Sequence, residues 1–317
     1  MRAHRFTGYA WFAVAYTVAV ILWGAVVRAT GSGAGCGSHW PDCNGQIVPR
    51  APAMETAIEF LHRATSGVAL LVVLGLAWWA WRRYPPGSRV RAAALAAVAF
   101  IVLEALIGAG LVLFGLVGDD DSVARAVVIA VHLANTLLLL AALSLVAWWS
   151  GGGQAPPARP GRGVALALGT GLAVLVVLAM SGAVTALGDT LFPARSLAGG
   201  TPAEAGAGTH FLVRLRVWHP LLAVVGSGYL LAMLAWLGRG TTSTTARRLT
   251  AVVGWLVVAS LGVGAVNLAL HAPVWLQVLH LLVADLLWIA LVLLAAGALA
   301  GEAAGGPPRA GATPPPS

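Results

Sequence analysis

Long apolar stretches, broken by short polar segments of Arg, Gly, Pro and Asp, dominate the chain from near its first residue to about residue 300. Stretches of roughly 18 residues or more are long enough to cross about 30 Å of hydrocarbon as helices. None shows the apolar/polar alternation that a barrel strand needs. Reading the runs between polar punctuation predicts eight spans, at 9–28, 60–81, 92–116, 126–149, 164–187, 215–237, 248–268 and 275–299. The pattern therefore predicts an all-α integral membrane protein with eight transmembrane helices. The opening segment places Arg2 and Arg5 before its apolar run, as a secretory signal does. No A-x-A-like cleavage site follows, so we read it as a retained first span. From about residue 301 the Gly/Pro/Ala-rich tail has little to bury and is expected to be disordered.

The two halves of the chain repeat. GAVVRATG at 24–31 faces GAVTALGD at 182–189, and EFLHRATSGVALLVV faces RVWHPLLAVVGSGYL. LIGAGLVL then faces LGVGAVNL, and HLANTLLLLAAL faces HLLVADLLWIAL. Four spans recurring in the same orientation imply parallel repeats about an axis near the membrane normal. The expected architecture is two pseudo-symmetric four-helix bundles, residues 1–150 and 151–300, followed by the tail at 301–317.

Composition reinforces this picture and adds an orientation. Hydrophobic residues make up 59% of the 317 and charged residues 9%, far from the balance of a water-soluble domain. The net charge of +8 comes from Arg alone, there being no Lys. Those Arg gather at the termini and in the connections after even-numbered spans, among them Arg82, Arg83, Arg89, Arg91, Arg239, Arg247 and Arg248. That distribution is a topology signal and not a nucleic-acid footprint, and it puts both termini on the cytoplasmic side of a cell membrane. The opposite side carries most of the acids and the two longest connections, 29–59 and 188–214, where function is expected.

The candidate chemistry lies near that outward side. His62, His132, His219 and His280 each fall within the first turns of an even-numbered span, so all four sit at a similar depth. A lone membrane histidine is more often a hydrogen-bonded helix contact than a ligand. Four at matched depth in a repeated pattern are poorly explained by coincidence, because ionisable groups in hydrocarbon are costly. Facing imidazoles between apolar helices fit haem, whose iron takes two axial ligands while the porphyrin packs on Leu, Val, Gly and Ala. His4, His39, His210 and His271 lack this placement and read as solvated. Glu59 precedes His62 by three residues, on the same helix face, whereas Arg216 stands at the matching position before His219. A carboxylate there can act as a base or stabilise positive charge, and its bland reading is a helix-start acid favoured by the dipole. A guanidinium suits a haem propionate, and Arg28 and Arg63, at the outward boundary, are further candidate propionate contacts. Glu104 and Asp285 lie inside spans and should face the bundle interior; no direct haem role is assigned to Asp285. The two Cys, Cys36 and Cys43, lie in the first outward loop. On the oxidising side they can close a small ring as a disulfide, structural or redox-active; free thiols are the alternative, and a zinc site lacks ligands.

Together, RATGSGAGCGSHWPDCNGQIVP, EFLHR, ALGDTLFPARSL and RLRVWHP resemble the haem A synthase family across residues 10–297. That resemblance implies an oxidoreductase that converts a methyl group of haem O, through an alcohol, to the formyl group of haem A for cytochrome oxidase biogenesis. It implies haem O as substrate between His62 and His132, with Glu59 as the catalytic carboxylate, and haem b as cofactor between His219 and His280. It also implies a Cys36–Cys43 disulfide. Some family members carry a second Cys pair in the other half, but 188–214 contains none, so a relay of two disulfides is excluded here. A haem O-producing farnesyltransferase, oxidase assembly factors, an unidentified electron donor or acceptor and membrane lipid are the implied partners; nucleic acid is not among them. Two other classes compete: a bis-histidine dihaem electron-transfer cytochrome, and a haem carrier or assembly chaperone. The cytochrome does not explain the contrast between Glu59 and Arg216 or the long outward loops with a Cys pair.

Overall fold

The computed structural model describes residues 2–153, 161–193, 209–240 and 244–304. The described residues form long helices: α1 Arg2–Ala29, α2 Met54–Arg83, α3 Arg89–Leu113, α4 Val123–Ser150, α5 Arg162–Leu191, the short α6 Phe211–Leu215, α7 Trp218–Gly240, α8 Thr244–Ala269 and α9 Val274–Ala304. Eight segments are long and apolar enough to cross a membrane, α6 and α7 together forming one of them. The protein is thus an all-helical, eight-span membrane protein, and no strand is found among the described residues.

Most of the helices overrun their apolar runs by several residues, because interfacial Arg, Thr and Gly continue the backbone ladder where the hydropathy signal fades. α3 is an exception at its end, stopping at Leu113 three residues short of expectation, with Gly115 in the left-handed region at φ 68°. Ser88 and Ser122 cap α3 and α4, accepting from the backbone N–H groups of Arg91 and Arg125. The break between α6 and α7 has a covalent cause. Pro220, in the first turn of α7, has no N–H to give the carbonyl of Arg216, so the helix cannot run through this point unbroken. Helix α9 extends to Ala304, beyond the expected start of the tail; residues 305–317 lie outside the described residues, as does most of the 188–214 connection.

Helix neighbours define two rings. α1 packs on α2, α2 on α3, α3 on α4 and α4 back on α1, while α5, α7, α8 and α9 close a second ring in the same way. Contacts from α1 and α4 to α5 and α9 join the two. Within each ring the histidine-bearing helices, α2 with α4 and α7 with α9, occupy opposite corners.

The apolar core fills only part of the depth. Its buried members include Phe6 to Val18 on α1, Ala69 to Ala80 on α2, Val90 to Ile101 on α3 and Leu137 to Ala147 on α4. They continue with Leu168 and Leu175, Leu230 to Leu237, Val253 and Val257, and Leu287 to Ala295 in the other ring. The layer holding the four histidines contributes no buried residue to this cluster. In several helices it lies about seven residues further along, roughly 10 Å at 1.5 Å per residue.

Candidate functional site

Each histidine is seated against a glycine of the preceding long helix. A Cβ added to Gly24 would lie 3.0 Å from Cε1 of His62, and one on Gly182 would lie 3.0 Å from Cε1 of His219. The corresponding distances are 3.1 Å from Gly264 to His280 and 3.9 Å from Gly108 to His132. At the first three a Cβ would press on the ring, which would have to give by a few tenths of an ångström. The sequence comparison placed Gly108 opposite Val263; the structure puts Gly264 in the equivalent role, one residue on, a register that apolar similarity alone does not resolve.

In the second ring His219 and His280 face each other with ring centres 6.4 Å apart and planes at 78°. A metal held by both through bonds of about 2 Å would place imidazole centres roughly 6 Å apart. Nδ1 of His219 meets Ser181 Oγ at 2.9 Å, which fixes one ring edge. Nδ1 of His280 and Nδ1 of His62 are buried without a hydrogen-bond partner among the described residues. Orphaned imidazole nitrogens, glycine cradles and a layer outside the main core cluster are what a site for iron porphyrin requires, and on those observations the residues fit the group.

The first ring differs in its acids. Glu59 is buried at 3% exposure, despite lying near the outward end of α2. Its Oε2 accepts from the backbone N–H of Cys36 at 2.7 Å, and its Oε1 accepts from Arg63 Nε at 3.1 Å and from a second Arg63 nitrogen at 2.5 Å. Arg63 also donates at 2.6 Å to the carbonyls of His39 and Asp42, tying the outward loop to α2. Cys36 and Cys43 form a disulfide, both residues buried. Gly35 is obligatory where this loop meets α2, since a Cβ would fall 2.5 Å from the carbonyl oxygen of Glu55. Opening the eight-residue ring by Cys43→Ser is expected to cost about 2 to 3 kcal/mol of loop stability on chain-entropy grounds. The check is amide hydrogen exchange at Cys36, which should speed up by at least about tenfold; unchanged exchange would show that packing alone holds the loop.

The three Arg singled out in the sequence are all engaged with protein groups. Arg28 donates to the Ala186 carbonyl at 2.6 Å, Thr190 Oγ1 at 2.8 Å and Gln277 Oε1 at 2.9 Å, linking α1 to α5 and α9. Arg216 pairs with Asp189 at 3.0 Å and donates to the carbonyls of Gly188 and Phe192, closing the outward end of α5. The position matching Glu59 is therefore half of an internal ion pair. His210, expected to be solvated, instead stacks on Phe192 with centres 4.7 Å apart and lies 3.3 Å from Asp121.

Glu104 and Asp285, both expected to face the bundle interior, differ in what they meet there. Glu104 on α3 meets His132 Nε2 at 3.1 Å, and it is held by Asn135 and Thr136. Their spacing carried the signal: Glu104 lies four residues before Gly108, and Asn135 and Thr136 lie three and four after His132, all on facing helix stripes. Asp285 is fully buried with neither oxygen hydrogen-bonded among the described residues, one turn from Trp288, whose Nε1 donates to the Leu137 carbonyl at 2.6 Å.

Fold and site together define an eight-span helical membrane protein built around paired inward-facing histidines. The chain belongs to the COX15-CtaA family of cytochrome oxidase assembly proteins, whose pattern it matches over residues 7–292. It is 53% identical over 301 residues to a protein named protoheme IX farnesyltransferase from Thermus thermophilus, covering 93% of this chain and 48% of that protein. Proteins named heme A synthase match shorter stretches. That of Lysinibacillus sphaericus is 40% identical over 139 residues, 43% of each chain, and that of Halalkalibacterium halodurans is 46% identical over 98 residues, 31% of this chain and 33% of its own. The chain thus spans about half the length, or less, of these curated relatives.

Proposed function

We propose that the chain is a haem A synthase, oxidising a methyl group of haem O to the formyl group of haem A, as two pseudo-symmetric four-helix modules at residues 1–150 and 151–300. Haem O is held between His62 and His132, and haem b between His219 and His280. The observation that carries this reading is the asymmetry around otherwise like histidine pairs: the position three residues before the first His holds a buried carboxylate, Glu59, paired with Arg63 of its own helix, whereas the matching position before the second holds a guanidinium, Arg216, paired with Asp189 of α5. Membership of an oxidase assembly family supports it, as do the relatives named heme A synthase. Farnesyl transfer to protohaem IX, the activity named for the Thermus relative, is the class of reaction that supplies a farnesylated haem such as haem O; we place it upstream of this chain.

The iron porphyrins supply the redox chemistry. The protein's own part is positional and electrostatic. Glycine at 24, 182 and 264 lets the imidazoles reach inward, and the core below the histidine layer sets the depth to which a macrocycle descends. Three donors, one from Cys36 and two from Arg63, hold the Glu59 carboxyl in one orientation, which suits stabilising positive charge that develops at the substrate's edge. Arg5, Arg82, Arg83, Arg89 and Arg91 mark the cytoplasmic end, which puts the haem layer near the outer face of a cell membrane.

Extracting pigment from the purified protein, produced in a host that makes haem O, tests the reading. Haem B together with haem O, its alcohol or haem A is expected; haem B alone would favour an electron-transfer cytochrome. Gly182→Val is a second check. By pressing on His219 it is expected to lower the haem B content while leaving haem O conversion sites in the first half filled, and unchanged haem B content would place that haem elsewhere.

A further inference from the structure

We propose that Glu104 is a positioning residue for His132: it makes this imidazole a stronger donor than the other three and thereby holds the first-half haem at a lower reduction potential than the second-half haem. The inference rests on the reading that His132 is a haem ligand.

Three side chains fix the Glu104 carboxyl. Oε1 lies 3.1 Å from His132 Nε2 and accepts from Thr136 Oγ1 at 2.5 Å, and Oε2 accepts from Asn135 Nδ2 at 2.5 Å. Asn135 is itself anchored through a 3.0 Å bond to the Phe100 carbonyl, one turn before Glu104 on the same helix. The carboxyl therefore cannot swing away from the ring without breaking contacts to both neighbours. Because Glu104 engages Nε2, the other ring nitrogen, Nδ1, is the one through which His132 would hold a metal. An imidazole that donates one N–H to a carboxylate has its orientation and tautomer set, and its other nitrogen becomes more basic. A more basic axial ligand stabilises ferric over ferrous iron, so the potential falls.

Nothing equivalent surrounds the second pair. Among the described residues His219 meets the hydroxyl of Ser181 and the backbone of Leu178, neither of them a carboxylate, and His280 Nδ1 is buried without a hydrogen-bond partner. The positions matching Glu104, Asn135 and Thr136, counted from Gly264 and His280, are Ser260, Val283 and Ala284, which offer no carboxyl and no donor pair to hold one.

Potentiometric titration of the full chain in detergent, loaded with ferric haem B, tests this. The first-half component is identified as the one lost in His132→Ala. Glu104→Gln is expected to raise the midpoint of that component and leave the other unmoved. Thr136→Val removes a donor from the carboxyl, leaving it a stronger acceptor for the His132 N–H, and is expected to lower the same midpoint. Opposite shifts in the two variants are a signature that general loosening of the bundle would not produce. Should Glu104→Gln fail to fold, an unmoved or raised midpoint in Thr136→Val overturns the proposal, as does an unmoved or lowered midpoint in Glu104→Gln. If both haem components survive His132→Ala, the failure lies instead in assigning His132 as a ligand.

Discussion

Glu59→Gln is expected to leave both haems bound and to slow conversion of haem O by about 100- to 1,000-fold, the range seen when a single preorganised electrostatic group is removed from an active site. The change keeps the side chain's size and one acceptor for the Cys36 N–H, so it alters charge more than shape. Arg63 loses its ion-pair partner but keeps the carbonyls of His39 and Asp42, and the loop is expected to stay in place. Glu59→Ala is the harsher change. It removes the acceptors that Gln keeps for the Cys36 N–H and for Arg63, whose side chain is only 12% exposed, and each buried donor left unmet costs about 1 to 3 kcal/mol. Loss of activity in Ala together with a fall in haem content would then reflect the loop. Loss in Gln at full haem content would reflect the chemistry. The measurement is the ratio of haem O and its alcohol to haem A in extracts of each variant, and an unaltered haem A yield in Glu59→Gln would remove this carboxylate from the mechanism.

The contrast between those two substitutions shows where sequence reasoning stops. That Glu59 and His62 share a face follows from spacing of three on a helix, and so does the pairing of His at matched depth. Apolar run length fixed the eight spans to within a few residues at most ends, because the cost of an unpaired backbone group in hydrocarbon leaves helices as the solution. What spacing does not carry is the identity of partners from other elements. Arg63 was read as a candidate propionate contact, yet it closes on Glu59 and two loop carbonyls. Arg28 was read the same way, yet it reaches α5 and α9 in the other half. The pairing of Arg63 with Glu59 is an i,i+4 contact on α2 that helical spacing does carry, whereas the loop carbonyls that Arg63 meets and the reach of Arg28 depend on where a 24-residue connection folds and on how two rings dock. The His132 cluster is intermediate: each of its members has helical spacing to a recognised residue, and only the pairing of α3 with α4 was needed to assemble it.

His219→Ala is expected to strip haem from the second half while the first half retains its own. With centres 6.4 Å apart, His219 and His280 are placed to share one metal, and removing either ring would take away half of the protein ligands of a haem held between them. Loss of an outer-shell partner alone commonly weakens metal binding by 10- to 100-fold, so loss of a ligand itself is expected to exceed about 100-fold. The vacated space lies against Gly182 and Ser181, neither of which offers a replacement donor of comparable strength. Because a group that binds only the folded chain stabilises it by mass action, the thermal midpoint of the variant should also fall, and it should no longer respond to added haem B at the second site. His219→Met separates ligation from packing. A thioether can still serve as an axial ligand and raises the potential relative to imidazole, so the haem should stay with a shifted spectrum and a higher midpoint. If instead both variants keep the haem content and spectrum of the unmodified protein, the second haem is not held by His219, and the two-pair arrangement fails at that corner.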